Sequence, residues 1–393
     1  MENDDACLKC TICNQTCPVL RVDPDFPGPK ALGPEWWRRS LTGEGESEPH
    51  VDDCTFCQLC EASCPADVPV AHLIQMHKAV RPAPAMRRLR DTVLTRLDLI
   101  ERLPQLATWH TPVDGLVGLS KVSARPRVER PRPAVTSPAD AKELIGVFID
   151  CFSRSFDGGV VDSAEALLRS WGYIPVRLPE RPACCGAAAH ASGRLKQAVA
   201  TAAGARRDVM AVLDGAPRIQ RIVTLNGTCD ETIRREWTDV YGLDPVTVQV
   251  QPFSEFILEE APESFWEHVR RVGRGAKVYT HTTCRTRVAN GDGTLDEICR
   301  RAGLHPVWTG LTCCGASGSY AFKAEHDAVA HRMVDPLGRL PAEGTLGLMT
   351  DSGTCALHLG AETGVPAHHP AYFLHLLALR PEDLEHDREV KRA

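Results

Sequence analysis

Residues 181–190 read RPACCGAAAH, and residues 310–319 read GLTCCGASGS. Each CCG tripeptide lies inside the same larger pattern. A lone cysteine precedes it at the end of an apolar run, GVFIDC (146–151) in the first case and KVYTHTTC (277–284) in the second. Another cysteine follows after a further run, RIVTLNGTC (221–229) and LGLMTDSGTC (346–355). Such β-rich stretches read as buried strands of a parallel sheet. Segments after the cysteines, such as 162–170 and 194–213, read as helices. The cysteines therefore collect where strands end and helices begin. That edge is where open α/β sheets bind ligands, and free N–H groups at helix starts favour negative charge there. The tandem pattern predicts two α/β repeats, at 145–262 and 275–380, forming a pseudo-duplicated C-terminal domain with a tail at 381–393. The predicted ligand sets are Cys151, Cys184, Cys185 and Cys229, and Cys284, Cys313, Cys314 and Cys355. Four thiolates suit one iron–sulfur cluster or one zinc ion per repeat.

A different repeat occupies the N-terminus. Cys7, Cys10, Cys13 and Cys17 precede Pro18, and Cys54, Cys57, Cys60 and Cys64 precede Pro65. Each is C-x2-C-x2-C-x3-C-P. In two-cluster ferredoxins three cysteines of such a run wrap one corner of a cubane, and the fourth ligates the other cluster. The expected sets are Cys7, Cys10, Cys13 and Cys64 for the first [4Fe–4S] cluster, and Cys54, Cys57, Cys60 and Cys17 for the second. Paired zinc sites fit less well, because zinc takes pairs of ligands and not triplets closed by Cys-Pro. A small α-rich two-cluster ferredoxin domain is thus expected at 1–85.

Composition agrees. Of 17 cysteines in 393 residues, the two repeats use 16. The remaining Cys299, in a helical pattern, reads as a small core residue. The acidic start MENDDACLKC has no apolar signal region and no twin arginine, which predicts a cytoplasmic chain where thiols serve metals and not disulfides. No apolar run is long enough for a transmembrane helix of the chain's own. A net charge of −6 argues against nucleic acid as a partner. Between the two halves, 86–144 splits into a helical segment and a Pro/Arg-rich linker. In the former, Leu89, Val93, Leu97 and Ile100 form an apolar stripe beside arginines. The stripe reads first as a helix packed on its own protein, and second as a partner or membrane contact.

The C-x(n)-CCG-x(n)-C arrangement resembles the cysteine-rich CCG-domain family. That family includes heterodisulfide reductase subunits and the iron–sulfur subunits of glycolate, lactate and anaerobic glycerol-3-phosphate dehydrogenases. Resemblance to the iron–sulfur (C) subunits of the glycerol-3-phosphate enzymes is strongest, in PDFPGPKALGP (24–34), CPADVPVAHLIQ (64–75), CCGASGSYAFKAE (313–325) and SGTCALHLGAETGVPAHHP (352–370). The fullest CCG pattern ends in C-x2-C, but here Asn226 and Ser352 stand at the first of those cysteines. That departure disfavours disulfide-reducing chemistry, the alternative function. His281, His358 and His369 lie near the second set in sequence and are candidates for outer contacts to it. Neither a G-x-G-x-x-G fingerprint nor a G-x-S-x-G elbow is present.

The resemblance implies an electron-transfer subunit with no catalytic residue of its own. Electrons would pass from flavoprotein dehydrogenase subunits, oxidising glycerol 3-phosphate, towards a quinone, menaquinone in an anaerobic respiration. The membrane component would be contacted from the cytoplasmic face. A lactate or glycolate dehydrogenase partner is the alternative within the same mechanism.

Overall fold

The computed structural model describes residues 6–81, 84–94 and 143–379. The chain is an α/β protein with a helical N-terminal part and two parallel sheets. In the first sheet β1 (Leu144–Asp150), β2 (Ile174–Ala183), β3 (Ile219–Thr224) and β4 (Gln249–Pro252) run in the order β2-β1-β3-β4. In the second, β5 (Lys277–His281), β6 (His305–Trp308), β7 (Thr345–Thr350) and β8 (Ala367–His368) run in the order β6-β5-β7-β8. All pairings are parallel. The chain leaves β1 to one side and returns to its other side for β3, and the second sheet repeats this around β5. Each reversal opens a crevice at the C-terminal edge.

Residues 145–150 are buried throughout, which explains why β1 reads as an uninterrupted apolar run. The helix Leu195–Gly215 buries Ala198, Ala202, Ala205, Val209 and Leu213, one stripe at three- and four-residue spacing. One apolar core joins the repeats, with Val147, Trp171 and Phe253 from the first and Val278, Ile298 and Met349 from the second. Cys299 lies in it, fully buried, its thiol 3.8 Å from Met349 Sδ.

At the sheet edges the repeats interlock reciprocally. Gly227, beside Cys229, faces the helix that starts at Cys284; an added Cβ would stand 1.9 Å from Thr286 Oγ1. Gly353, beside Cys355, faces the helix that starts at Cys151; an added Cβ would stand 2.4 Å from the Phe152 ring.

The N-terminal part consists of short turns around the cysteine runs, a continuous helical stretch of Ala31–Glu35 and Trp36–Leu41, and the helix Val70–Val80. Its core contains Val19, Phe26, Leu32, Val51, Leu73 and Ile74, and extends to Cys313, Val329 and Met333 of the second repeat. It also touches the first repeat: the buried Lys78 ammonium donates to the carbonyls of Cys54 (2.6 Å) and Ala191 (2.9 Å).

Next comes the helix Ala85–Leu94. Its inward residue is polar: Arg90 is buried and pairs with Glu325 at 2.6 Å. Leu89 and Met86 are exposed. The helix therefore packs on its own protein through an arginine, with Leu89 of the apolar stripe exposed. The stripe's later members, Leu97 and Ile100, and the Pro/Arg-rich linker lie outside the described residues.

Candidate metal centres

The two ferredoxin-type runs fold alike. In the first, Lys9 and Thr11 have positive φ (60° and 65°); in the second, the corresponding Phe56 and Gln58 do (54° and 63°). For non-glycine residues this conformation costs about 1–3 kcal/mol each. Alternating handedness turns successive N–H groups towards one concavity, a form suited to an anion. Its recurrence at matching positions explains how so short a loop presents three sulfurs to one point.

Cys7, Cys10, Cys13 and Cys64 line one cavity, with Thr11, Pro34, Pro65 and Val70 completing its wall. Cys10 is exposed, so this cavity reaches the surface. Cys54, Cys57, Cys60 and Cys17 gather deeper. Burial pushes the Cys17 thiol up to about 12. Burial, then the neighbouring thiolates, raise Cys57 and Cys60 as well. Four thiols so placed cannot ionise together without a cation, and iron or zinc supplies one. Both sets thus fit a thiolate-held metal group, in the grouping expected from spacing.

The other two sets lie in the crevices. Cys151 begins a helix directly after β1, Cys184 and Cys185 follow β2, and Cys229 sits in the first turn after β3. Cys284, Cys313, Cys314 and Cys355 repeat this around β5, β6 and β7. Hydrogen bonds link the thiols of Cys151 and Cys184, of Cys184 and Cys185, and of Cys185 and Cys229. In the second set Cys314 Sγ lies 2.8 Å from Cys355 Sγ. The Cys284 and Cys314 thiols donate to Cys313 and hold its pKa well below the usual thiol range. The glycine of each CCG is required. Gly186 has φ +96° and an added Cβ would meet Ala198 O at 2.7 Å; Gly315 has φ +78° and would meet Ala330 O at 3.0 Å.

Asn226 and Ser352, where a further cysteine would complete the pattern, are N-cap positions. Asn226 Oδ1 accepts from Thr228 N at 3.1 Å, and Ser352 Oγ is 3.1 Å from Thr354 Oγ1. Asn226 thus caps its helix through its side chain, and Ser352 does not.

The three histidines part company. His281 is fully buried, and its ring nitrogen with the sulfurs of Cys314 and Cys355 forms a group within 4.8 Å. Burial lowers its pKa to about 4, so the imidazole is neutral and able to ligate. His358 donates from Nε2 to Ala330 O at 3.3 Å, one helix away. His369 caps the helix Pro370–Ala378, its Nδ1 accepting from Ala371 N at 3.1 Å. Burial alone lowers its pKa, to about 3.

The sets are not equally spaced in the molecule. Cys313 interacts electrostatically with Cys17, Cys54 and Cys57, and Cys284 with Cys57. The deep ferredoxin-type set therefore adjoins the second CCG set. Between these and the first CCG set lies a buried ionic node that spacing could not reveal. Arg285, next to Cys284, pairs with Glu231 and, at 2.7 Å, with Glu236. Its guanidinium lies 5.1 Å from the Phe56 ring centre. Glu236 also accepts from Gln58 Nε2 (3.0 Å) and Tyr241 Oη (3.3 Å). Burial would raise the Glu236 carboxyl, but Arg285 holds it well below the usual carboxylate range. Burial leads in Glu231 too, and with the charge of Glu236 keeps its pKa raised against the pull of Arg285.

Two families match the chain: the 4Fe-4S dicluster domain over residues 4–68 and the cysteine-rich domain, CCG, over 145–234 and again over 278–360. Two relatives span nearly the whole length and a third about half. The C subunit of the anaerobic glycerol-3-phosphate dehydrogenase of Escherichia coli (strain K12) is 27% identical over 94% of this chain and 97% of its own. The glycolate oxidase iron-sulfur subunit of the same organism is 24% identical over 93% and 91%. Lactate utilization protein A of Bacillus pumilus is 24% identical over 49% of this chain and 79% of its own.

Proposed function

The chain carries a 4Fe-4S dicluster domain followed by two copies of the cysteine-rich domain, and from that footing we propose that it is the electron conduit between a flavoprotein dehydrogenase and the quinone pool. The single observation that carries this reading is the contiguity of three cysteine sets, with Cys13, Cys17, Cys57, Cys60 and Cys313 in one buried cluster. Iron–sulfur clusters in these sets would accept electrons singly, dividing the pair a reduced flavin delivers. The chain's own residues do the rest. The αL loops aim N–H groups at each cavity and so favour added negative charge. The apolar wall of Val19, Leu73, Ile74 and Met333 excludes water from the deep set. Arg285 fixes a positive charge among three cysteine sets.

The whole-length relatives are named for glycerol 3-phosphate and glycolate oxidation. The length of the first match and its identity favour a glycerol-3-phosphate-oxidising partner. Among the described residues no helix is long and apolar enough to cross a membrane; peripheral attachment at the cytoplasmic face is part of the proposal. The test is anoxic purification with partners bound, then glycerol 3-phosphate, glycolate or lactate with a menaquinone analogue. Quinone reduction by glycerol 3-phosphate alone is expected. Reduction by another substrate would change the partner and keep the conduit; reduction by none would refute the reading.

A further inference from the structure

Three residues before the lone cysteine of each repeat stands a buried residue of the first strand, Phe148 in β1 and His281 in β5. The sheets put these two in equivalent places. Phe148 stands opposite Thr224 on β3, and His281 stands opposite Thr350 on β7. Two residues beyond each threonine comes Asn226 or Ser352, and five beyond comes Cys229 or Cys355. In the first repeat Phe148 belongs to the apolar cluster that contains Cys185 and Cys229. In the second an imidazole takes the same place, and one ring nitrogen lies with Cys314 Sγ and Cys355 Sγ in a group within 4.8 Å. A hydrocarbon side chain in one repeat is thus a metal-ligating one in the other.

The protein does not satisfy this imidazole. His281 is fully buried. Its Nδ1 lies 3.5 Å from Thr309 Oγ1, and its Nε2 has no hydrogen-bond partner among the described residues. Thr309 is buried too, and its backbone N–H donates to Thr280 O at 3.1 Å, which holds the hydroxyl beside the ring. With Nδ1–H donating to that hydroxyl, the lone pair is on Nε2. Metal-ligating histidines have this form: one nitrogen is bonded to a fixed group that sets tautomer and orientation, and the other is left for the metal.

Donor count points the same way. The fullest CCG pattern offers five cysteines, and Ser352 removes one from the second set. His281 restores a fifth donor from the neighbouring strand. The first set, with Asn226 and Phe148, stays at four.

We propose that His281 ligates, through Nε2, the metal group held by Cys284, Cys313, Cys314 and Cys355, so that the second CCG site is a mixed nitrogen–sulfur centre and the first is all thiolate. The inference rests on a thiolate-held metal group, iron–sulfur or zinc, in the second set, and not on which dehydrogenase is the partner.

The test uses the full, cluster-loaded chain, isotopically labelled in its histidine ring nitrogens and reduced stepwise under anoxia. Pulsed EPR reads the coupling of nitrogen to the reduced centres. The wild type should show one coupling as strong as that of a bound imidazole, moved by the label. It should be lost in His281→Phe, which installs the residue found at 148, and kept in His358→Gln and His369→Ala. His281→Cys keeps a ligand at this place, so its iron content should match the wild type. The nitrogen coupling should vanish there, and the midpoint potential of the centre should fall, because a thiolate brings negative charge where imidazole brings none. A wild type with about 16 irons and no strong histidine coupling would overturn the ligand and leave the electron conduit standing. A coupling that survives in His281→Phe would overturn it as well. Should metal analysis find about 12 irons and about one zinc, the zinc X-ray absorption edge decides: a nitrogen at about 2.0–2.1 Å that is absent from His281→Phe supports the ligand, and sulfur alone overturns it.

Discussion

Replacing Arg285 by Met tests the buried node most directly. The variant keeps an apolar stem against Phe56 and removes the charge between Glu231 and Glu236, each only 3% exposed. Removing one partner of a buried ion pair costs about 3–5 kcal/mol, because the remaining charge loses its counter-ion. That is roughly a 150- to 5,000-fold shift in the unfolding equilibrium. The sign with pH follows from the groups themselves. In the wild type the Glu236 pKa lies below its unfolded value, so its stabilisation is present above about pH 4.3 and fades only as pH falls further. In the variant, burial is opposed only by His190 at Glu236 and Arg235 at Glu231, and both carboxyls rise. The penalty is therefore full at pH 8 and shrinks as pH falls and the carboxyls take up protons. Anoxic urea unfolding at pH 8 and pH 5, at fixed cluster loading, should show a wide gap between the proteins at pH 8 and a narrower one at pH 5. Arg285→Met with Glu231→Gln and Glu236→Gln should recover most of the loss. A gap below about 1 kcal/mol at pH 8, or one that ignores pH and both glutamine substitutions, would refute the ionic account.

Metal content separates an iron–sulfur cluster from zinc in each CCG repeat. The wild-type chain should carry about 16 irons, and Cys57→Ser and Cys314→Ser about four fewer each; iron unchanged in Cys314→Ser would make the second CCG set structural. His369→Ala should lose a helix cap, about 1 kcal/mol in thermal or urea unfolding, with its iron content and spectra intact; a changed cluster spectrum would show that it contacts a cluster. Gly186→Ala forces a Cβ to 2.7 Å from Ala198 O at φ +96°. It should cost about 2 kcal/mol or more and loosen Cys185, seen as lower iron retention under chelator.

Local pattern carried the reading wherever one residue type repeats at fixed spacing. The apolar runs ending at Cys151, Cys284, Cys229 and Cys355 imply parallel strands whose C-terminal ends hold the cysteines, and the sheets are built so. The glycine of CCG was visible as a motif, but its reason, a backbone carbonyl of a following helix pressed against it, is tertiary. The histidines show the limit of sequence proximity. His369 follows the second cysteine set yet caps a helix, whereas His281, before Cys284, reaches the sulfurs. At Leu89 the apolar residue faces outward. Helical periodicity finds an apolar face, but the buried face is decided by what lies opposite, and opposite Arg90 lies Glu325. The ionic node draws on Phe56, Gln58, Glu231, Glu236 and Arg285, five residues from three parts of the chain with no shared spacing. No window of sequence contains it.

Duplication gave two equivalent cysteine sets, and the surroundings have made them different. Three residues before Cys151 stands Phe148, while three before Cys284 stands His281. Directly before Cys151 stands Asp150, which caps its helix with bonds from Phe152 N and Ser153 N; directly before Cys284 stands Thr283. Burial raises the Asp150 carboxyl, and the three donors around it favour its charged form. Its interactions with Cys151 and Cys229 raise both thiols. A negative neighbour that opposes thiolate charge also opposes an added electron, while the neutral imidazole of His281 does not. The second set alone adjoins the ferredoxin-type set, through Cys313. In the proposed conduit the second repeat thus has the shorter path to the ferredoxin-type set, and the first repeat, reached across the Arg285 node, the longer one.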